Sequence, residues 1–163
     1  MSSSDVVVRK FLSNADVVLA DFDPGATTAV AITDPRTASL WFDMRNFGGM
    51  VLGLMRTIGT GDISSIIFQA SKVAAGTSPQ TIKTITVTED PDAVGDYAFW
   101  EIHAQDIVQA IADLGLNGPG GVNEYRYVAP VVALETGTDE FAALVVLTSP
   151  DNPNSGLSAN NQA

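Results

Sequence analysis

Residues 50–73, MVLGLMRTIGTGDISSIIFQASKV, contain two apolar segments separated by a glycine-rich turn. The continuous apolar run at 50–58 fits a buried strand or a short helix, and the glycines on either side favour the strand. GTGD at 59–62 indicates a turn, and 63–73 is rich in the residues typical of a strand. This stretch therefore predicts strand, turn and strand in direct succession.

The same pattern continues on both sides of this stretch. Period-2 alternation, or enrichment in Thr, Val, Ile and aromatic residues, predicts further strands at 26–32, 39–47, 81–88, 97–103, 124–135 and 140–149. The chain is therefore expected to be mostly β, with about eight short strands. This succession of short strands with one helix favours an antiparallel β-sandwich or a jelly-roll-like barrel over a fold in which helices alternate with strands.

Three local expectations accompany this fold. One short helix is predicted at 104–116, because apolar residues from Ile107 to Leu114 recur at helical spacing. TGTD at 136–139 predicts a hairpin between the last two strands. Pro130 predicts that part of the first of these strands lies at a sheet edge or in a bulge, because proline lacks a backbone N–H.

The 163 residues correspond to one domain of ordinary size. Polar residues mixed with a short apolar run predict an N-terminal arm at 1–16, which a neighbouring molecule would order. A β-sandwich domain at 17–150 follows, and the Pro- and Asn-rich stretch at 151–163 predicts a flexible C-terminal tail. No segment has the apolar length of a signal peptide or a membrane-spanning helix.

The surface is acidic and sparsely charged. Charged residues make up 17% of the chain, and the formal net charge is −11, whereas about 25% of residues are charged in an average domain. An acidic surface repels nucleic acid and anionic membranes, so we expect neither as a partner. It would suit a partner with a basic face or a salty environment.

The residues that usually carry catalysis are scarce. Cysteine is absent and His103 is the one histidine, which excludes disulfides, thiol nucleophiles and thiolate metal sites. A lone histidine is expected to be structural, and a zinc site would need mostly carboxylates. No phosphate-binding loop, dinucleotide fingerprint or serine-hydrolase motif occurs. We therefore predict that the protein is not an enzyme and has no catalytic residues and no cofactor.

Two kinds of loop are candidates for binding. The acidic loop EDPDAVGD at 89–96 offers Asp90, Asp92 and Asp96 as calcium ligands, although its spacing differs from the EF-hand pattern and a solvated turn is the simpler interpretation. The turns IGTGDI at 58–63 and ETGTDEF at 135–141 resemble each other. They could lie together at one end of a sandwich and form a contact surface.

Aromatic residues fall mostly inside the predicted strands, where core packing is the default interpretation. Tyr97 and Phe99 share one face of their strand, and so do Tyr125 and Tyr127. An exposed aromatic strip of this kind would bind sugar or protein.

The order of several short motifs resembles that of small virion proteins of tailed bacteriophages encoded beside the major capsid protein. The similarity covers roughly residues 24–150, and its most distinctive parts are AVGD before an aromatic strand and YRYVAPVV before the last strand. The order of motifs carries it: ATTAVAI, DMRNF, GTGD, FQAS, AVGDYAFWEI, YRYVAPVV and TGTDEFAALVVL. The helical stretch at 104–116 is a departure, since such proteins often have a shorter connection there.

The resemblance implies a β-sandwich structural subunit without enzymatic activity, in the role of a capsid decoration, or cement, protein. Such proteins sit on the outer surface of the capsid, often as homotrimers, and bridge neighbouring capsomers. The implied partners are the major capsid protein and further copies of the chain, and the implied location is the virion. The arm would supply the contact residues, which are Val6, Val7, Val8, Phe11 and Leu12, so deletion of 1–16 is expected to abolish capsid binding while the domain stays folded.

Two alternatives remain open. A tail or neck subunit, such as a tail-tube protein, would use long sheets that join into a ring. A carbohydrate-binding surface module would use the β-sandwich and a calcium-bound acidic loop.

Overall fold

The computed structural model describes residues 16–22, 30–32, 41–88, 90–119, 124–135 and 139–148. The predicted arm residues Val6, Val7, Val8, Phe11 and Leu12 and the tail at 151–163 lie outside this part of the chain. The described residues form nine strands and one helix: β1 (Asp16–Phe22), β2 (Val30–Ala31), β3 (Phe42–Asp43), β4 (Gly49–Ile58), β5 (Ile63–Ser71), β6 (Gln80–Thr86), β7 (Tyr97–His103), α1 (Ala104–Asp113), β8 (Tyr127–Leu134) and β9 (Glu140–Thr148).

The strands form two antiparallel sheets that share one core. The four-stranded sheet has the order β1-β9-β4-β7, and the five-stranded sheet has the order β2-β8-β5-β6, with β3 also paired to β8. Every strand pair is antiparallel. One buried cluster joins Leu52 of the first sheet to Phe68 and Val132 of the second. The predicted mostly β class and the antiparallel β-sandwich are confirmed.

Strand β4 shows why the opening stretch folds as it does. Met50, Leu52 and Leu54 are buried in the core, while Val51 and Met55 point to the other face. Burial of one such side chain contributes about 1.5–3 kcal/mol. The strand interpretation of 50–58 is therefore confirmed over the helical one.

The predicted hairpin between β8 and β9 is wrong. Strand β8 pairs with β5 in the five-stranded sheet, whereas β9 pairs with β1 and β4 in the four-stranded sheet. Strand β9 buries one row of apolar side chains, whereas β8 is buried at nearly every position, and the inward rows of the two strands pack in the core between the facing sheets. The β8–β9 and β4–β5 connections therefore both cross from one sheet to the other.

The expectation that Pro130 marks an edge or a bulge is also wrong, because β8 is an interior strand. Pro130 pairs with Phe68 of β5 on one side, and its carbonyl accepts a hydrogen bond from the Ile32 N–H at 2.8 Å on the other. A residue of an antiparallel strand directs its N and its C=O to the same side. The proline nitrogen thus points to the side where β2 ends at Ala31, between the part of β8 that pairs with β2 and the part that pairs with β3.

Two strand boundaries differ from the sequence-based expectation. Of the strand predicted at 39–47, the described residues 41–47 contain only β3, because the Asp43 carboxylate accepts a hydrogen bond from the Arg45 N–H at 3.2 Å and turns the chain. Strand β1 was not predicted, since its apolar residues run consecutively instead of alternating. It begins at Asp16, the last residue assigned to the arm, and pairs with β9 along its whole length.

Helix α1 is confirmed but ends earlier than expected. Ile107 and Ile111 are buried, whereas Leu114 is the C-cap residue and is exposed. Gly115 follows with a φ of +67°, a conformation that favours glycine and stops the helix. No helix among the described residues is long and apolar enough to cross a membrane.

Candidate protein-contact surface

Strands β4, β7 and β9 carry apolar residues on the outward side of the four-stranded sheet. Strand register places Tyr97, Met55 and Ala142 in one row and Phe99, Gly53 and Leu144 in the next. We use the name apolar face for the residues that β4, β7 and β9 contribute to this side: Val51, Gly53, Met55, Tyr97, Phe99, Ala142, Leu144 and Val146.

Three large side chains of the apolar face are exposed to solvent. Tyr97 is 69% exposed, Phe99 is 56% exposed and Met55 is 42% exposed. The rings of Tyr97 and Phe99 meet edge to face, with centroids 5.6 Å apart. Exposed apolar patches on a folded domain mark surfaces that bind other molecules.

Gly53 gives this face its shape. A β-carbon at Gly53 would lie 2.6 Å from a ring carbon of Phe99, so the missing side chain is what lets the ring lie over β4. The result is a groove of about 220 Å³ whose lining includes Met55, Tyr97, Phe99 and Leu144. Its wall is almost wholly apolar.

The outward side of the five-stranded sheet differs. Ser65, Gln69, Thr84 and Thr86 on β5 and β6 are polar and exposed or half-buried, whereas the outward positions Ala129 and Val131 of β8 are apolar and buried. The side formed by β4, β7 and β9, which carries the exposed Tyr97, Phe99 and Met55, is therefore the candidate contact surface.

Carboxylates flank the groove. Asp96 directly precedes Tyr97 and is exposed, and Glu101 follows Phe99 on the same side of β7. The His103 Nε2 lies 3.6 Å from a Glu101 carboxylate oxygen, with both side chains more than half exposed. The groove thus has an acidic rim.

Every lysine and arginine in the described ranges already lies within ion-pair distance of a carboxylate. The hydrogen bond from Arg45 to Asp43 raises the pKa of that guanidinium, and the hydrogen bond from Lys72 to Glu124 raises the pKa of that ammonium. The cations of these pairs are Arg45, Arg56, Lys72, Lys83 and Arg126.

A buried arginine organises one end of the sandwich. Arg56, near the end of β4, is 1% exposed. Its Nη1 donates to the Asp139 carboxylate at 3.0 Å, its Nη2 donates to the Gly61 carbonyl at 2.6 Å, and its Nε donates to the Pro91 carbonyl. The guanidinium also lies 4.9 Å from the centre of the Phe141 ring.

Asp139 connects the two similar turns. Its carboxylate, which is 1% exposed, accepts hydrogen bonds from Arg56 and from the Gly61 N–H at 3.1 Å. A β-carbon at Gly59 would lie 1.7 Å from the Asp139 carboxylate oxygen, and Gly59 has a φ of +91°. Gly59 and Gly61 of the first turn therefore lie against Asp139, which belongs to the described part of the second.

The calcium candidates are not brought together. Asp90 accepts the Ile63 N–H at 2.9 Å and lies 3.5 Å from the Arg56 guanidinium. Asp96 accepts the Ala93 N–H at 3.1 Å, while Asp92 is exposed to solvent. Within the described ranges, which omit Glu89, no three acidic or histidine side chains form a group that could hold a metal ion.

His103 is the N-cap residue of α1. The Asp106 carboxylate accepts a hydrogen bond from its backbone N–H at 3.4 Å, which places a negative charge at the first turn of the helix. The imidazole is exposed beside Glu101 on the surface.

The core interpretation of the aromatic residues holds for some of them and is wrong for others. Tyr125 is buried and Tyr127 is half-buried, whereas Tyr97 and Phe99 are exposed. The YAFWEIH segment is apolar at both parities, so alternation alone could not assign its core side. On β7, Tyr97 and Phe99 form the exposed aromatic strip that was the alternative to core packing.

Comparisons with known proteins add little to this description. No family model matches the chain, and no curated protein matches it significantly. Among solved structures, the crystal structure of the Yersinia pseudotuberculosis-derived mitogen is similar at 10% identity, covering 88% of this chain and 92% of that one with a TM-score of 0.37. A structural similarity with so low a TM-score and sequence identity says nothing about the function of this chain.

Proposed function

We propose that this chain is a capsid decoration protein of a tailed bacteriophage, which binds the outer surface of the capsid and bridges neighbouring capsomers as a homotrimer. The observation that carries a contact role is the apolar face, where Tyr97, Phe99 and Met55 are exposed together. Its assignment to a capsid is supported by the order of motifs that resembles such virion proteins.

The exposed apolar face supports a contact role. A subunit with such a face buries it against a partner. The net charge of −11 favours solubility of the free subunit before assembly. Contacts through the apolar face would then hold the subunit in the assembly on the capsid.

Particle composition tests this proposal. Particles purified on a density gradient and washed in 1 M salt are expected to retain the chain at a fixed ratio to the major capsid protein, measured by quantitative mass spectrometry. Retention is expected because burial of apolar surface is not screened by salt, whereas adsorption through surface charges is. A chain that is absent from the particles, or that 1 M salt removes, would contradict the proposal.

The two alternatives predict different results. A tail or neck subunit would form rings or tubes in negative-stain images of the purified protein and would be found with tails instead of capsids. A carbohydrate-binding module would bind sugars on a glycan array in a manner that a chelator abolishes. Sugar sites combine aromatic faces with well-placed polar groups, and the apolar lining of the groove favours a protein partner over a sugar.

A further inference from the structure

The groove on the apolar face has a shape and surroundings that suit one particular segment of the chain. We propose that the segment from Val6 to Leu12 of a second copy lies in the groove between Phe99 and Leu144, so that neighbouring copies exchange their N-terminal arms. This inference names a partner of the apolar face and rests on the contact role proposed above, but it does not require a capsid.

The composition of the segment matches the groove. Its sequence, VVVRKFL, contains three consecutive valines, two cations and then a phenylalanine and a leucine. The groove offers an apolar wall with an exposed aromatic pair and a cleft over Gly53. β-branched and aromatic side chains pack well on the pleated surface of a sheet, so the apolar residues of the segment fit this wall.

Charge complementarity points to the same segment. The groove is flanked by Asp96 and Glu101, and the cations in the described part of the chain already pair with carboxylates elsewhere. Arg9 and Lys10 lie between the apolar residues of the segment. Placed beside the groove, they would therefore supply positive charge, which the carboxylates of the acidic rim attract.

The direction of β1 favours a second copy over the same chain. The arm enters β1 at Asp16, which pairs with Leu147, whereas the groove lies nearer to Ala142, which pairs with Asp21. Strand β1 thus begins at the end of the sheet farther from the groove, and an arm that bound its own groove would have to reverse direction there and cross β9. From Val8 to Asp16 the chain reaches at most about 29 Å, which is ample for a neighbour in contact with the sheet.

The absence of cysteine from the chain allows a direct test by disulfide trapping. One sample carries Val7→Cys and an isotope-labelled second sample carries Ala142→Cys. Mixed at micromolar concentration under mild oxidation, they are expected to form the labelled–unlabelled dimer at least tenfold faster than Val7→Cys mixed with Thr84→Cys. Thr84 is the matched control because it is exposed on the outer side of the other sheet. Each molecule carries one thiol, so every such bond joins two copies.

Two results would overturn the inference. Equal trapping rates at Ala142 and Thr84 would show that the segment has no preference for the groove. A chain carrying both Val7→Cys and Ala142→Cys that closes only an internal disulfide, at all protein concentrations, would show that the arm folds back on its own sheet.

A charge reversal tests the placement of the cations. Val7→Cys combined with Arg9→Glu and Lys10→Glu is expected to trap at Ala142 at least threefold more slowly, because the segment then repels the acidic rim. An unchanged rate would overturn this placement. The trapping experiment uses no particles, and the particle-composition experiment uses the chain without engineered cysteines. Each proposal can therefore fail while the other stands.

Discussion

Replacing Asp139 with alanine is expected to lower the free energy of unfolding by up to about 3–5 kcal/mol, because it removes the closer of the two carboxylates that pair with a buried guanidinium. Arg56 and Asp139 are each 1% exposed, and their closest atoms are 3.0 Å apart. The Gly61 N–H also loses its acceptor. The remaining acid near Arg56, Asp90, is 3.5 Å away and is already bonded to the Ile63 N–H.

Urea denaturation followed by circular dichroism measures this effect. Glu124→Ala is the matched control, since it also removes a carboxylate from an ion pair, the one with Lys72, but at a site where both side chains are nearly half exposed. Exposed pairs contribute little to stability, so this variant is expected to unfold close to the wild type. Similar midpoints for the two variants would show that the buried pair does not hold the end of the sandwich together.

Replacing Gly59 with alanine is expected to be nearly as disruptive, for a steric reason. The added β-carbon would lie 1.7 Å from the Asp139 carboxylate oxygen, at a residue whose φ is +91°. Backbone strain at positive φ costs about 1–2 kcal/mol, and overpacking adds about 1–3 kcal/mol. The same denaturation experiment measures the sum.

Gly95 separates the two contributions. Its φ is +95°, close to that of Gly59, but a β-carbon there would meet nothing within 4 Å. Gly95→Ala is therefore expected to show the strain alone. In the Asp139→Ala background the cost of Gly59→Ala should fall towards that of Gly95→Ala, because the clashing oxygen is gone. Equal costs of Gly59→Ala and Gly95→Ala in the wild-type background would contradict the close contact with Asp139.

Much of the strand pattern follows from local sequence. Strand β7 begins and ends as predicted, and β4, β5, β6 and β9 differ from their predicted limits by a few residues at most. In β6, alternation of apolar and polar side chains carried this information, and in β9 the enrichment in Phe, Leu and Val did. In β4 the information came from the flanking glycines.

The assignment of strands to sheets could not be predicted. Neighbours in sequence, β8 and β9, separate into different sheets, while β1 and β9 pair from opposite ends of the described chain. A short glycine-containing turn looks the same whether it closes a hairpin or crosses between sheets. The interior position of Pro130 depends in the same way on a neighbouring strand that ends beside it.

The sequence gives a signal for the buried Arg56 but does not identify its partner. An arginine inside the apolar run MVLGLMRTI is a signal, because a buried charge needs a partner. The partner, Asp139, is 83 residues away in sequence, and only the pairing of β4 with β9 brings it close. The apolar face depends on the same pairing, since residues of three strands make the groove.

Binding of the purified chain to particles that lack it tests most directly whether the apolar face is the contact surface. Met55→Ser combined with Tyr97→Ser changes two exposed residues of that face, and Leu114→Ser is the control because it is apolar and 49% exposed at the end of α1. In a co-sedimentation titration, the double variant is expected to lose at least tenfold in affinity, while Leu114→Ser binds as the wild type does. A double variant that is folded by circular dichroism and binds with unchanged affinity would contradict the account.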